Sequence, residues 1–134
     1  MNNSFKVEIY TPTGKYFSGD VSYLSVSSPL GVLGILPDHA PLVTTLEICK
    51  LTTKINSNEL KYAIGGGVMN IKKDNHIVLL VNSIERSDEI NVARAKESKK
   101  RAEERLAKSS EEIDIKRAQL SLSRALNRLS VSGE

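Results

Sequence analysis

The chain has no tryptophan, two phenylalanines and four tyrosines in 134 residues, so any core it builds must be aliphatic. It has one cysteine, Cys49, which permits no internal disulfide and suits a reducing compartment. Cys49 alternates with Leu51 and Ile55, the placing of a small buried apolar residue. No apolar run reaches about 18 residues, so no membrane span is expected. Met1-Asn2-Asn3-Ser4 lacks the pattern of a signal peptide. Arginine is absent from the first 85 residues; all seven (86, 94, 101, 105, 117, 124 and 128) fall in the last 49. A formal charge of +3 is too small to imply nucleic acid. Tyr10, Tyr16, Tyr23 and Tyr62 are not interleaved with basic residues, so a base-stacking surface is unsupported.

Catalytic signatures are also missing. There is no Gly-x-Ser-x-Gly, Walker A or dinucleotide fingerprint. His39 and His76 have no cysteine or second histidine at ligand spacing, so both read as structural and no metal is expected.

What is present divides in two. In the first part, Phe5, Val7 and Ile9 alternate with Lys6 and Glu8, and Thr11-Pro12-Thr13-Gly14 supplies turn chemistry. Strands are expected at Val21–Val26, Gly31–Leu36, Ile48–Ile55, Leu60–Ile64, Val68–Ile71 and Ile77–Val81. Turns lie at Asn56-Ser57-Asn58 and Lys73-Asp74-Asn75. Short strands at such intervals suggest a sandwich or barrel over residues 1–86. Gly65-Gly66-Gly67 leads into another strand rather than a helix N-terminus, so it reads as a bulge or a close strand crossing, not a phosphate cradle.

The second part, residues 87–134, changes period. Ser87-Asp88-Glu89 is expected to start a helix running to about Lys108. Ser109 and Glu112 match a capping box for a second helix. There Ile115, Ala118, Leu122, Ala125, Leu126 and Leu129 form one apolar stripe. The first helix offers mainly Ile90, Ala95, Ala102 and Leu106, so the hairpin should be weakly held, as switching elements are. The fold class is therefore α+β: an N-terminal all-β sandwich followed by a C-terminal two-helix antiparallel hairpin.

Thr11-Pro12-x-Gly14, then Gly34-Ile35-Leu36-Pro37-x-His39-x-Pro41-Leu42, then Gly65-Gly66, then Ile90-Asn91-Val92-Ala93-Arg94-Ala95 and Arg124-Ala125-Leu126-Asn127-Arg128-Leu129 occur in order along essentially the whole chain. Together they resemble the epsilon subunit of bacterial F-type ATP synthases.

The resemblance implies a non-catalytic subunit of the central stalk, on the cytoplasmic face of the bacterial membrane. Its sandwich would hold the gamma subunit and the ring of c subunits. Its hairpin would fold down beside the sandwich, or extend toward the alpha and beta subunits and obstruct ATP hydrolysis. Membrane contact would come only through the complex. His39, Arg117, Arg124 and Arg128 are the implied partner contacts. The family's ATP-sensing signature, Ile/Leu-Asp-x-x-Arg-Ala with two later arginines, falls on Ile90, Asn91, Arg94, Ala95, Arg124 and Arg128, with Glu85 just upstream. ATP would be a regulatory ligand and no obligatory cofactor is implied. The chain departs from the family at Asn91, which replaces an acid, at Asp38, which replaces a glycine, and at Val32, which replaces a glutamate.

Read without the family, Arg94, Arg124 and Arg128 are a solvated helix face paired with Glu97 and other acids. A rival class is a coiled-coil finger protein regulating another machine such as RNA polymerase, with Glu111, Glu112 and Asp114 positioning a metal at the tip. A ligand-binding sandwich is the other rival, but it needs an aromatic-lined face.

Overall fold

The computed structural model describes residues 3–133. The chain divides into two compact units, Met1–Arg86 and Ser87–Glu134.

The first unit is all β: β1 (Phe5–Thr11), β2 (Gly14–Val21), β3 (Tyr23–Ser28), β4 (Gly31–Ile35), β5 (Leu42–Ile55), β6 (Asn58–Lys72), β7 (His76–Val81) and β8 (Ile84–Arg86). The strand order is β2-β1-β7-β6-β5-β3-β4, and β8 also pairs with β6. β1 and β7 run parallel, and every other pair is antiparallel. Tyr16 of β2, at one edge, meets Tyr62 of β6 edge-on, with ring centroids 6.3 Å apart. The sheet therefore curls back over itself into a sandwich. Val7, Leu24, Leu51, Met69 and Leu79 have no exposed surface and lie in its core. All but two of the core side chains are aliphatic or sulfur-bearing, as the scarcity of aromatics required.

Several expected boundaries shift. β2 was not visible in the sequence because only Val21 of its eight residues is buried. A polar edge strand carries no apolar alternation to detect. The single strand expected over Val21–Val26 is the end of β2 and the start of β3. Ser22 breaks it, donating from both its N–H (2.7 Å) and its hydroxyl (2.9 Å) to the Lys54 carbonyl. β5 begins at Leu42 rather than Ile48, and the three-residue β8 was missed.

β6 runs unbroken through the triple glycine, which lies where its partner changes from β8 to β7. There the Gly65 N–H donates to the Ser83 carbonyl at 3.0 Å, and the Asn82 N–H donates to the Gly66 carbonyl at 2.9 Å. The register against β5 does not shift, so this is a close crossing rather than a bulge. Gly67 has φ +154°, and a Cβ there would collide with the Leu80 carbonyl oxygen. Only glycine lets the two backbones approach so closely.

The second unit holds a single 3-10 turn (Ser87–Glu89), then α1 (Val92–Lys108) and α2 (Glu112–Ser132). The helix does not start at Ser87. Its N-cap is Asn91, in extended conformation, whose Oδ1 accepts the Arg94 N–H at 3.0 Å. The capping box expected at Ser109 and Glu112 does not form. Ser109 closes α1, its N–H bonding the Arg105 carbonyl at 2.9 Å. Glu111 then occupies the N-cap of α2 without a side-chain cap bond. Gly133, in the left-handed region at φ 88°, ends α2.

The hairpin seam is mostly alanine. Ala95 and Ala102 on α1, and Ala118 and Ala125 on α2, are all at most 3% exposed. In each helix the two are seven residues apart, so they return to one face. Leu129 and Val131 extend the buried side of α2. Leu126, expected on this stripe, is 46% exposed and lies off it. A buried Cβ methyl contributes only about 0.8 kcal/mol, so the small seam supports the expectation of a weakly held hairpin.

The cap can be tested directly. Asn91→Ala should lower hairpin stability by about 1 kcal/mol, while Asn91→Asp, an equally good cap, should change it by only a few tenths. Urea unfolding followed by helical circular dichroism reads both. An unchanged midpoint in Asn91→Ala would remove the cap from the account.

Candidate nucleotide and partner sites

α1 and α2 present a groove of about 350 Å³ lined by Ser98, Arg101, Ala102, Arg105, Ser121, Arg124 and Arg128. Four of these lining residues are arginines, two from each helix. Arg101 pairs with Glu97 at 3.9 Å, both largely exposed, a contact of small energetic weight. Arg105 and Arg124 form no salt bridge among the described residues. A cavity edged by planar, permanently charged forks suits an anion with several oxygens, such as a polyphosphate.

The expected site residues divide. Arg124 and Arg128 line the groove, whereas Arg94 and Arg117 do not. Asn91 is exposed, but its oxygen already caps α1. Ile90 (8% exposed) and Ala95 (3%) are buried, which limits how much of an adenine they could seat here. Glu85 is on β8, in the other unit. The sequence reading missed Arg101 and Arg105. The signal was present: Arg94, Arg101 and Arg105 repeat the seven-then-four spacing of Arg117, Arg124 and Arg128. Each set thus keeps to one side of its helix.

The loop between β4 and β5 carries His39. The side chain is exposed, and Nδ1 lies 2.8 Å from the Ala40 carbonyl, a position for a donating N–H. Leu36 (60% exposed) and Val43 (67%) stand on either side in sequence. His76, expected to be structural, bonds through Nε2 to Glu8 Oε2 at 3.3 Å, joining β7 to β1. Desolvation alone would raise the Glu8 carboxyl pKa. The bond to His76 and the charge of Lys6 outweigh it and hold the group below its ordinary value. Cys49 is buried as expected, and burial pushes its thiol pKa up, which makes it a poor nucleophile.

Residues 4–87 match the beta-sandwich domain of the ATP synthase delta/epsilon chain, and residues 88–133 match its long alpha-helix domain. This chain belongs to the ATP synthase delta/epsilon chain family. The ATP synthase epsilon chain of Pelotomaculum thermopropionicum is 46% identical over 105 residues, 78% of each chain. That of Bacillus licheniformis is 40% identical over 107 residues, 80% of this chain and 81% of the relative.

The resemblance drawn from the ordered motifs is thereby borne out, and so is the α+β class. Solved chains with little sequence in common share the fold. One is a chain in the Euglena gracilis mitochondrial ATP synthase OSCP/F1/c-ring structure. It superposes with a TM-score of 0.87 at 14% identity, over all of this chain and 84% of that one. A chain from the Tetrahymena thermophila mitochondrial ATP synthase central stalk/c-ring structure gives 0.63 at 14% identity, over 96% of each. No helix among the described residues is long and apolar enough to cross a membrane. The finger-protein alternative gains nothing from the tip. Glu112 bonds Lys116 at 3.1 Å, and no group of three potential metal ligands occurs among the described residues.

Proposed function

We propose that this chain is a non-catalytic rotor subunit of a bacterial F-type ATP synthase, peripheral to the cytoplasmic face of the membrane. The sandwich joins the gamma subunit to the c ring, and His39 lies at the ring contact. The hairpin is the regulatory element. Its folded form binds ATP, and its extended form reaches the alpha and beta subunits through Arg117, Arg124 and Arg128 and obstructs hydrolysis.

The observation that carries the ATP reading is the convergence of Arg101 and Arg105 from α1 with Arg124 and Arg128 from α2 on one groove. Neither helix alone supplies all four, so a bound triphosphate favours the folded hairpin over the extended one by its differential affinity. The base lies toward the start of α1, near Asn91 and Arg94. Asn91 has one oxygen, and it already accepts the Arg94 N–H. An aspartate would have a second, charged oxygen for an adenine amino group.

Calorimetric titration of ATP into the isolated chain tests this. Saturable binding should be lost in the double variant Arg124→Ala, Arg128→Ala and strongly weakened in Arg94→Ala. Asn91→Asp should bind about fivefold tighter, the equivalent of one kcal/mol. Absence of heat at millimolar ATP would leave the arginines as a solvated face.

A further inference from the structure

The His39 loop is tied to the β6–β7 turn by two reciprocal hydrogen bonds. The Asp38 N–H donates to Asn75 Oδ1, and Asn75 Nδ2 donates to Asp38 Oδ1 at 2.8 Å. Both residues are in the left-handed region, Asp38 at φ 67° and Asn75 at φ 56°. Aspartate and asparagine tolerate that region better than other residues with a Cβ, yet they still favour it only with local support. Asn75 is itself anchored, because its carbonyl accepts the Lys6 N–H of β1 at 2.8 Å. The next residue, His76, bonds Glu8. One partner of the clasp is thus fixed to the sheet, and the loop is fastened to it.

The loop has little other freedom. Pro37 and Pro41 fix their own φ, and each biases the preceding residue, Leu36 and Ala40, toward extended backbone. Most of what remains lies at Asp38 and His39. We infer that Asp38 and Asn75 are positioning residues: their clasp locks the loop's principal hinge and so sets where His39 stands. The partner involved, the c ring, rests on the reading given under Proposed function; the clasp itself does not.

The test uses a charge swap in the full chain. Asn75→Asp sets two carboxylates against each other and should speed hydrogen exchange of the residue-38 amide roughly five- to tenfold, the loss expected for about one hydrogen bond. Adding Asp38→Asn restores a donor and acceptors across the pair, and protection should return to within about twofold of the parent. Asp38→Gly is a second probe: it accepts the left-handed φ, so the fold is kept, and it should speed exchange at the same amide. Unchanged exchange in Asn75→Asp and Asp38→Gly, or a double variant no better protected than the single one, overturns the clasp. Binding of the same variants to the detergent-solubilised c ring, beside His39→Ala, reads the partner. Loss in Asn75→Asp with recovery in the double variant supports positioning. Ring binding unmoved by His39→Ala and by the clasp variants, with exchange behaving as stated, overturns the ring contact and leaves the clasp.

Discussion

Gly67→Ala should remove about 4 kcal/mol from the stability of the sandwich, a large part of what a domain of this size has. Two effects add. The position has φ +154°, where a residue with a Cβ is strained by on the order of 1–3 kcal/mol. The new methyl also meets the Leu80 carbonyl oxygen and the Val81 Cα, backbone atoms of the paired strand β7 that cannot rotate away. The ladder must open to admit it. Gly14→Ala is the matching control. It too has a positive φ, 128°, but nothing lies within 4 Å of its Cβ position. It should show only the backbone strain. Urea unfolding of both variants separates the two contributions. Equal losses would mean that the close crossing of β6 and β7 is not tight.

A chain ending at Arg86 should fold cooperatively, assemble into the synthase and raise ATP hydrolysis several-fold. The core runs from Phe5 to Val81 with Ile84 packed against it, so every core side chain lies within the first unit. Release of inhibition follows if the extended hairpin is what obstructs rotation. Each tenfold rise in turnover would correspond to about 1.4 kcal/mol of obstruction removed. Calorimetric melting of the fragment tests the fold, and hydrolysis by the reassembled complex tests the regulation. A fragment that melts without cooperativity sinks the first statement. Hydrolysis unchanged at every nucleotide concentration sinks the second.

Where burial alternates, the strands could be read directly. Phe5, Val7 and Ile9 face the core, and Lys6 and Glu8 do not. The same was true of β3 and β7. Reading failed where a strand is an edge, as in β2, or is three residues long, as in β8. Periodicity reports burial, and these elements bury too little. Helix ends failed differently. Ser87 and Ser109 both look like caps, but capping depends on where the chain turns into the helix. At α1 that turn falls on Asn91, and at α2 it falls on Glu111.

The candidate nucleotide site was half legible. Arg124 and Arg128 were reached through the family motif, and both line the groove. Arg101 and Arg105 were not: their spacing puts them on one side of α1, but it gives no sign of what the neighbouring helix places opposite them. Asn91 shows the same gap: its sequence position suggests a ligand, and the structure shows its oxygen engaged in the cap.

The sequence by itself determined the two-part division, the aliphatic sandwich, the helical hairpin and the family. These follow from the period of apolar residues and the order of local motifs, which the chain carries along its length. Only the tertiary structure decided that β6 passes through the glycines against Leu80, that Asp38 and Asn75 clasp two loops, and that four arginines from two helices border one groove. Each of these joins residues far apart in the chain. Their meeting is set by strand register and helix packing, which local patterns do not encode.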